Sequence, residues 1–119
     1  MSPDPALFGL SQKDLTSITL LLKSYPEVEQ ALIFGSRALG SYKRGSDIDI
    51  ALFGNIEDAT ILAISSQLNE ELVLPYFFDV LNYDALTNPE LKDHIDRVGV
   101  IFYKRDPTSR HSPSAGLPG

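Results

Sequence analysis

The sequence predicts an α+β domain in which a mixed sheet of about four strands packs against helices on one face. The order of apolar patterns along the chain is helix, strand, polar segment, strand, helix, strand, helix, strand. Helical segments repeat apolar residues every three or four positions, whereas strand segments are short apolar runs. A length of 119 residues is enough for one such domain and not for two.

The first helix is predicted over residues 12–24. Ser11 is a typical N-cap residue, and Asp14 stands three positions later as the acidic partner of a capping box. Pro26 ends the helix, because the residue before a proline is disfavoured in helical conformation.

Two strands are predicted next, Glu29–Phe34 and Ile48–Phe53, on either side of a glycine-rich polar segment. Gly54 and Asn55 close the second strand as a turn. A second helix, capped by Asp58, is predicted over residues 59–73, and a third strand over Tyr76–Asn82. The last helix, Asn88–Arg97, begins with the favoured Asn-Pro pair, and a fourth strand follows over Val100–Tyr103.

The domain is expected to span residues 1–105. Residues 106–119 are rich in Pro, Ser, Gly and charge, which predicts a disordered tail.

Composition narrows the classes of function. The chain contains no cysteine, so disulfides and thiolate metal sites are excluded. No apolar run approaches the ~20 residues that a membrane span needs, and no secretory signal pattern is visible, so a cytoplasmic protein is expected. The net charge of −6 and the pI near 4.7 argue against a nucleic-acid polymer as the main partner.

Asp47 and Asp49 are the first candidate site residues. Side chains alternate along a strand, so these two carboxylates share one face while Ile48 and Ile50 point into the core. Neighbouring like charges repel and call for a compensating cation. A hard divalent ion with oxygen ligands is the usual one, and Mg²⁺ accepts a few carboxylates together with substrate phosphates.

The Gly35-Ser36 turn is the second candidate. Gly35 lets the backbone approach a ligand, and a short helix begun by Arg37 would point free N–H groups at an anion. Arg37, Lys43 and Arg44 form a basic group in an acidic chain, which suits a small triphosphate or, equally, reflects solvated loop charge.

Asp79 is the third candidate, because it stands inside the third predicted strand between Phe78 and Val80. An unpaired acid in a half-buried place is costly, so a role as a further metal-site carboxylate competes with that of an exposed edge-strand residue. His94, on the last predicted helix, is expected to be a surface or partner-facing residue rather than a catalytic base.

The pattern Gly35-Ser36, ten residues, Asp47-Ile48-Asp49 resembles the signature of the polymerase-beta-like nucleotidyltransferases. The fuller string GSRALGSYKRGSDIDIAL resembles their small stand-alone members, the minimal nucleotidyltransferases (MNT). A glycine-rich hairpin with two solvated aspartates is the plain alternative, but it does not explain aspartates inside an apolar strand.

The resemblance implies the polymerase-beta-like core fold and a set of roles. Mg²⁺ would be held by Asp47, Asp49 and Asp79, which are also the implied catalytic residues. The implied nucleotide-binding residues, which would hold ATP or another NTP, are Gly35, Ser36, Arg37 and Ser46.

The resemblance also implies a partner, since MNT proteins commonly work with a small all-helical protein of the HEPN or substrate-binding type. In toxin–antitoxin pairs the MNT protein is the antitoxin and transfers AMP to a tyrosine of the toxin. Hetero- and homo-oligomers both remain open. The alternatives are a nucleotide-binding or toxin-masking subunit with little catalysis, and a nucleotidyltransferase that acts on a small molecule such as an antibiotic.

Overall fold

Helix starts in the structure follow the capping residues that the sequence supplies. In the computed structural model, which describes residues 10–35, 47–72, 74 and 76–105, the Ser11 hydroxyl accepts a hydrogen bond from the Asp14 N–H at 3.0 Å. The Asn88 side chain accepts hydrogen bonds from two N–H groups of the last helix, and Pro89 is its first residue. The caps therefore set both starts, as the sequence predicts.

The elements run in the predicted order. They are helix α1 (Gln12–Lys23), strands β1 (Gln30–Phe34) and β2 (Ile48–Phe53), helix α2 (Asp58–Ser66) with a π-helical turn (Gln67–Glu71), strand β3 (Phe78–Asn82) with a 3₁₀ turn (Tyr83–Ala85), helix α3 (Pro89–Val98) and strand β4 (Val100–Lys104).

Most boundaries differ from the prediction by one or two residues, and the helix predicted over 59–73 is α-helical only to Ser66, where the π-helical turn to Glu71 follows. Asp58 is the first residue of α2 rather than its cap, and the residue before it, Glu57, makes no side-chain capping bond. Strand β3 begins at Phe78 instead of Tyr76. Residues 1–9, the predicted tail at 106–119 and the polar segment at 36–46 lie outside the described residues.

The four strands form one mixed sheet in the order β3-β2-β1-β4. Strand β1 pairs antiparallel with β2 and with β4, whereas β2 pairs parallel with β3. A parallel pair needs a crossover connection, and α2 supplies it. The predicted α+β class and mixed sheet are confirmed.

The sheet separates two apolar clusters. On one face α1 and α2 pack against alternate strand residues, including Ile33, Ile50 and Phe78, which are almost fully buried. On the other face α3 packs through Ile95 against Leu32, Phe34 and Ala51. The expectation that helices cover one face holds for α1 and α2. Helix α3 lies on the opposite face, because the alternate residues of β1 are apolar on both sides.

The π-helical turn holds strand β3 in place through Asn69. Its side-chain amide donates to the Phe78 carbonyl oxygen at 3.0 Å, and its side-chain oxygen accepts from the Phe78 N–H at 2.7 Å. The same amide donates to the Ser65 carbonyl one turn earlier in the helix. Asn69 thus pairs with the start of β3 as a neighbouring strand would, and so fixes the backbone next to Asp79.

No helix formed by the described residues is both long enough and apolar enough to cross a membrane.

We expect Asn69→Ala to lower the free energy of unfolding by about 1–3 kcal/mol, because it leaves two part-buried backbone groups of Phe78 without partners. Urea unfolding measures the change. Asn55→Ala is the matched control, since Asn55 is exposed, and its effect should stay within about 0.5 kcal/mol. Equal effects of the two substitutions would show that the Asn69 amide does not hold β3.

Candidate functional site

Asp49 and Asp79 lie side by side on the sheet. They are register partners in the parallel β2–β3 pair, and Asp49 is also the register partner of Phe34 in the antiparallel β1–β2 pair. Register partners point to the same face, so Asp79, Asp49 and Phe34 form a row across three strands. Neighbouring strands are about 4.8 Å apart, which puts the two aspartates within reach of one cation.

Asp47 lies two residues before Asp49 and shares its face by strand alternation. It is exposed, and Asp79 is exposed as well, whereas Asp49 is partly buried. The sequence predicts a half-buried Asp79, but β3 is an edge strand of the described sheet, and its outer side leaves this carboxylate in solvent. The structure thus brings the three predicted acids to one end of one sheet face.

The charges at this end act on one another. Burial raises the pKa of the Asp49 carboxyl, the carboxylates of Asp79 and Asp47 raise it further, and His94 lowers it. The ionised form of Asp49 is therefore held in the folded chain at a cost, which a cation placed against these oxygens would offset.

Gly35 makes the approach of β1 to Asp49 possible. Its φ angle is +74°, in the left-handed region that L side chains rarely adopt, and a Cβ at this position would collide with the Asp49 carboxylate oxygen Oδ2. The absence of a side chain therefore serves two purposes at once, the turn at the end of β1 and the space for the acid.

The chemistry of this donor set fits a hard divalent cation. Three carboxylates supply oxygen ligands of the kind that Mg²⁺ prefers, and their mutual repulsion supplies a reason to bind one. Among the described residues, however, no three Asp, Glu, His or Cys side chains converge closely enough to enclose a metal ion. The predicted phosphate-binding residues Ser36, Arg37 and Ser46, like Lys43 and Arg44, lie outside the described residues.

His94, which the sequence predicts to be a surface or partner-facing residue, lies beside this site. It is partly buried, and its ring packs edge-on against Phe34, with 6.1 Å between ring centroids and 78° between ring planes. The signal was available in the spacing, because position 94 is three residues after Leu91 and four before Val98, on the stripe that α3 buries.

Helix α3 is anchored over the site face by Tyr83. The Tyr83 ring stacks on Phe53 at 4.2 Å between centroids, and its hydroxyl donates to an Asp96 carboxylate oxygen at 2.7 Å. That hydrogen bond raises the pKa of the Tyr83 hydroxyl. The Lys92 ammonium lies 5.1 Å from the same ring. Two consecutive turns of α3 are thus fixed to the end of β3, and His94 lies between their contact residues.

Two clefts lie away from the acids. One of about 460 Å³ is lined by residues at the opposite ends of the strands, including Gln30, Phe53 and Lys104. The other, of about 360 Å³, is an apolar groove between α2 and the outer side of β3, where the Leu62 side chain is 70% exposed. The larger cleft is not the acid site, because β1 ends and β2 and β3 begin at the acids, whereas this cleft lies where β1 begins and β2 ends.

Comparisons with known proteins identify the fold. The chain matches the polymerase beta nucleotidyltransferase family over residues 16–108. None of the curated proteins matches it.

Several solved structures share the fold at low sequence identity. A chain of a mutant MntA–HpeT toxin–antitoxin structure superposes with a TM-score of 0.63 at 17% identity, covering 81% of this chain and 76% of that one. A toxin–antitoxin structure with AMP-PNP gives 0.63 at 18% identity, covering 85% and 78%. The complex of a tri-AMPylated Shewanella oneidensis HEPN toxin with its MNT antitoxin gives 0.60 at 18% identity, covering 79% and 72%.

We expect Asp49→Asn to raise the thermal unfolding midpoint at pH 7 in the absence of divalent cations. Folding raises the pKa of Asp49 above its ordinary value of 3.8, so the folded state holds this proton more tightly. Stability then falls as pH rises from that value through the folded pKa, and the penalty persists at neutral pH. The gain from the asparagine should disappear below pH 3.

Scanning calorimetry from pH 3 to pH 8 measures that gain. Asp58→Asn, which removes one negative charge from an exposed position on α2, is the control. A lower midpoint for Asp49→Asn than for wild type at pH 7 would contradict the charge assignment.

We expect Gly35→Ala to destabilise the fold in a way that depends on Asp49. The left-handed φ angle costs about 1–2 kcal/mol in any background, whereas the collision with the carboxylate is present only when Asp49 is. Urea unfolding of the single and double variants should show that Gly35→Ala costs less in an Asp49→Ala background, with a coupling of about 0.5–3 kcal/mol.

Gly54→Ala is the control for that cycle, because Gly54 also has a positive φ but lies against Glu27 at the other end of β2. Its cost should be the same in both backgrounds. Additive costs for Gly35→Ala and Asp49→Ala would show that the turn does not press on the carboxylate.

Proposed function

The chain belongs to the polymerase beta nucleotidyltransferase family, and on that premise we propose that it transfers a nucleoside monophosphate, AMP from ATP, to a hydroxyl group. The acceptor that we propose is a tyrosine of a small helical HEPN-type partner, which makes this chain the antitoxin of a pair. The observation that carries the proposal is the register pairing of Asp49 with Asp79, beside the Gly35 turn.

The proposed roles follow from where the acids stand. The carboxylate oxygens that would hold Mg²⁺ come from the start of β2, with Asp47 and Asp49, and from its parallel neighbour β3, with Asp79. The ion, when bound, would neutralise charge on the triphosphate and on the attacking and leaving oxygens. Gly35 brings the backbone against the acids without a side chain in the way, so that Ser36, Arg37 and Ser46 of the following segment are proposed to hold the β- and γ-phosphates.

The reaction that these roles support is an in-line displacement. The acceptor oxygen forms a bond to the α-phosphorus as the bond from that phosphorus to the bridging oxygen breaks, and pyrophosphate leaves with the electron pair. The acceptor proton passes to a carboxylate, and Asp79 is the suitable one, since it is exposed on the edge strand where an acceptor can approach.

The surroundings of the acids and the structures with the same fold favour a protein as the source of the acceptor hydroxyl. The acids lie at one end of the sheet, and the two clefts that described residues line lie elsewhere on the surface. Structures with the same fold come from toxin–antitoxin complexes, one of them with an AMPylated HEPN toxin. A partner that brings its own tyrosine would complete such a site.

We expect ATP labelled on its α-phosphate to label a helical HEPN-type partner when both proteins are incubated with Mg²⁺. Asp47→Asn combined with Asp49→Asn should reduce labelling at least about 100-fold, because the charge stabilisation of the displacement is lost. Asp79→Asn should also reduce it strongly, whereas Asp58→Asn should not. Mass spectrometry of the product should locate the added mass on a tyrosine.

Each other outcome separates the alternatives. Undiminished labelling by the double variant would overturn the roles of the acids. Binding of ATP without transfer, together with toxin neutralisation by the double variant, would favour a toxin-masking subunit. Transfer to an aminoglycoside by the chain alone would favour a small-molecule acceptor.

A further inference from the structure

The His94 ring lies where the row of site residues meets the turn after β1. It packs edge-on against Phe34, which is the register partner of Asp49 and directly precedes Gly35. The row across the sheet is therefore Asp79, Asp49 and Phe34, with the imidazole over its β1 end. The two acids form one end of this row, and Phe34, which leads into the Gly35 turn, forms the other end.

The imidazole makes no hydrogen bond to a described residue, although it is partly buried. Its ring N–H can therefore donate to a ligand at this end of the sheet. Other residues of α3 that could bind an anion are already engaged, since Arg97 donates to Asp93 at 2.8 Å and Lys92 lies over the Tyr83 ring.

The described lysines and arginines outside α3 also lie away from the acids. Arg105 donates to the backbone carbonyls of Lys23, Tyr25 and Val28, beside the start of β1. Lys104 lines the cleft at the same end. The remaining ones belong to α1, which packs on the opposite face of the sheet: Lys13 and Lys23. Among the described lysine, arginine and histidine side chains, His94 is therefore the one that lies beside the acid site.

We propose that His94 is a phosphate-binding residue, whose imidazole N–H donates a hydrogen bond to the β- or γ-phosphate of the nucleotide. The assignment rests on the proposed function, which puts the α-phosphate at the acids and the rest of the triphosphate toward the turn. The imidazole packs on Phe34, the residue before the Gly35 turn, so a triphosphate that runs from the acids toward this turn would pass beside it. A donor there both binds the triphosphate and stabilises the leaving group.

The experiment must separate this role from simple packing against Phe34. His94→Phe keeps an aromatic ring for the edge-on contact and removes both nitrogens. His94→Gln removes the ring but keeps a side-chain N–H donor. Arg97→Gln is the control, since it removes a cation from the same helix that is paired with Asp93. Thermal unfolding midpoints show that each variant is folded.

Calorimetric binding of AMP-PNP and of AMP, each with Mg²⁺, to wild type and variants gives the readout. We expect His94→Phe to weaken AMP-PNP binding about tenfold, as the loss of one hydrogen bond to a charged group predicts, and to leave AMP binding within about twofold of wild type. His94→Gln should recover most of the AMP-PNP affinity, and Arg97→Gln should bind both nucleotides as wild type does.

Two results would overturn the assignment while leaving the proposed function intact. One is unchanged AMP-PNP binding by His94→Phe. The other is an equal loss of AMP-PNP and AMP binding, which would indicate a structural role. A wild-type chain that binds neither nucleotide would overturn the assignment and the proposed function together. If wild type binds AMP-PNP but labels no acceptor, the proposed transfer fails, and the comparison of variants still decides the role of His94.

Discussion

The parallel pairing of β2 with β3 is the constraint on which the rest of the site depends. It aligns Asp79 with Asp49, residues thirty positions apart in the chain, on one face of the sheet. A shift of one residue in this pairing would turn Asp79 toward the core and Phe78 or Val80 toward the acids. The register is held by the buried Phe78 side chain and by the Asn69 amide, which bonds both backbone groups of Phe78.

A second consequence of the pairing is that the ionised carboxylate of Asp49 lies close to other negative charges. Burial raises the pKa of the Asp49 carboxyl, and the neighbouring carboxylates of Asp79 and Asp47 raise it further, so ionised Asp49 is held at a cost. Stored repulsion of this kind is common where a protein binds cations, because the folded apoprotein accepts a penalty that the ligand removes. The Gly35 turn tightens the arrangement further, since its backbone occupies the space beside the Asp49 carboxylate.

The two faces of the sheet differ in role, because one is buried under helices and the other carries the acids. Helices α1 and α2 bury one face in a continuous apolar cluster, and this face holds the fold together. The other face carries a smaller apolar cluster under α3, which extends to Leu81 of β3, and the acids lie at one end of this face. Helix α3 therefore has two roles, closing the second core with Ile95 and bringing His94 to the end of β1.

Local signals in the sequence determined a large part of this description. Capping residues set the starts of α1 and α3, and the alternation of residues 47–50 put two carboxylates on one face. The spacing from Gly35 to Asp49 identified the family, which the comparison over residues 16–108 then confirmed. These features are readable because each depends on neighbours within one turn of helix or a few strand residues.

Tertiary structure decided the features that depend on packing between distant segments. The alignment of Asp79 with Asp49, the placement of α3 on the acid-bearing face and the contact of His94 with Phe34 all join residues from separate elements. No local pattern in the chain specifies such contacts, since strand order and helix position follow from how the apolar faces of whole elements are buried together.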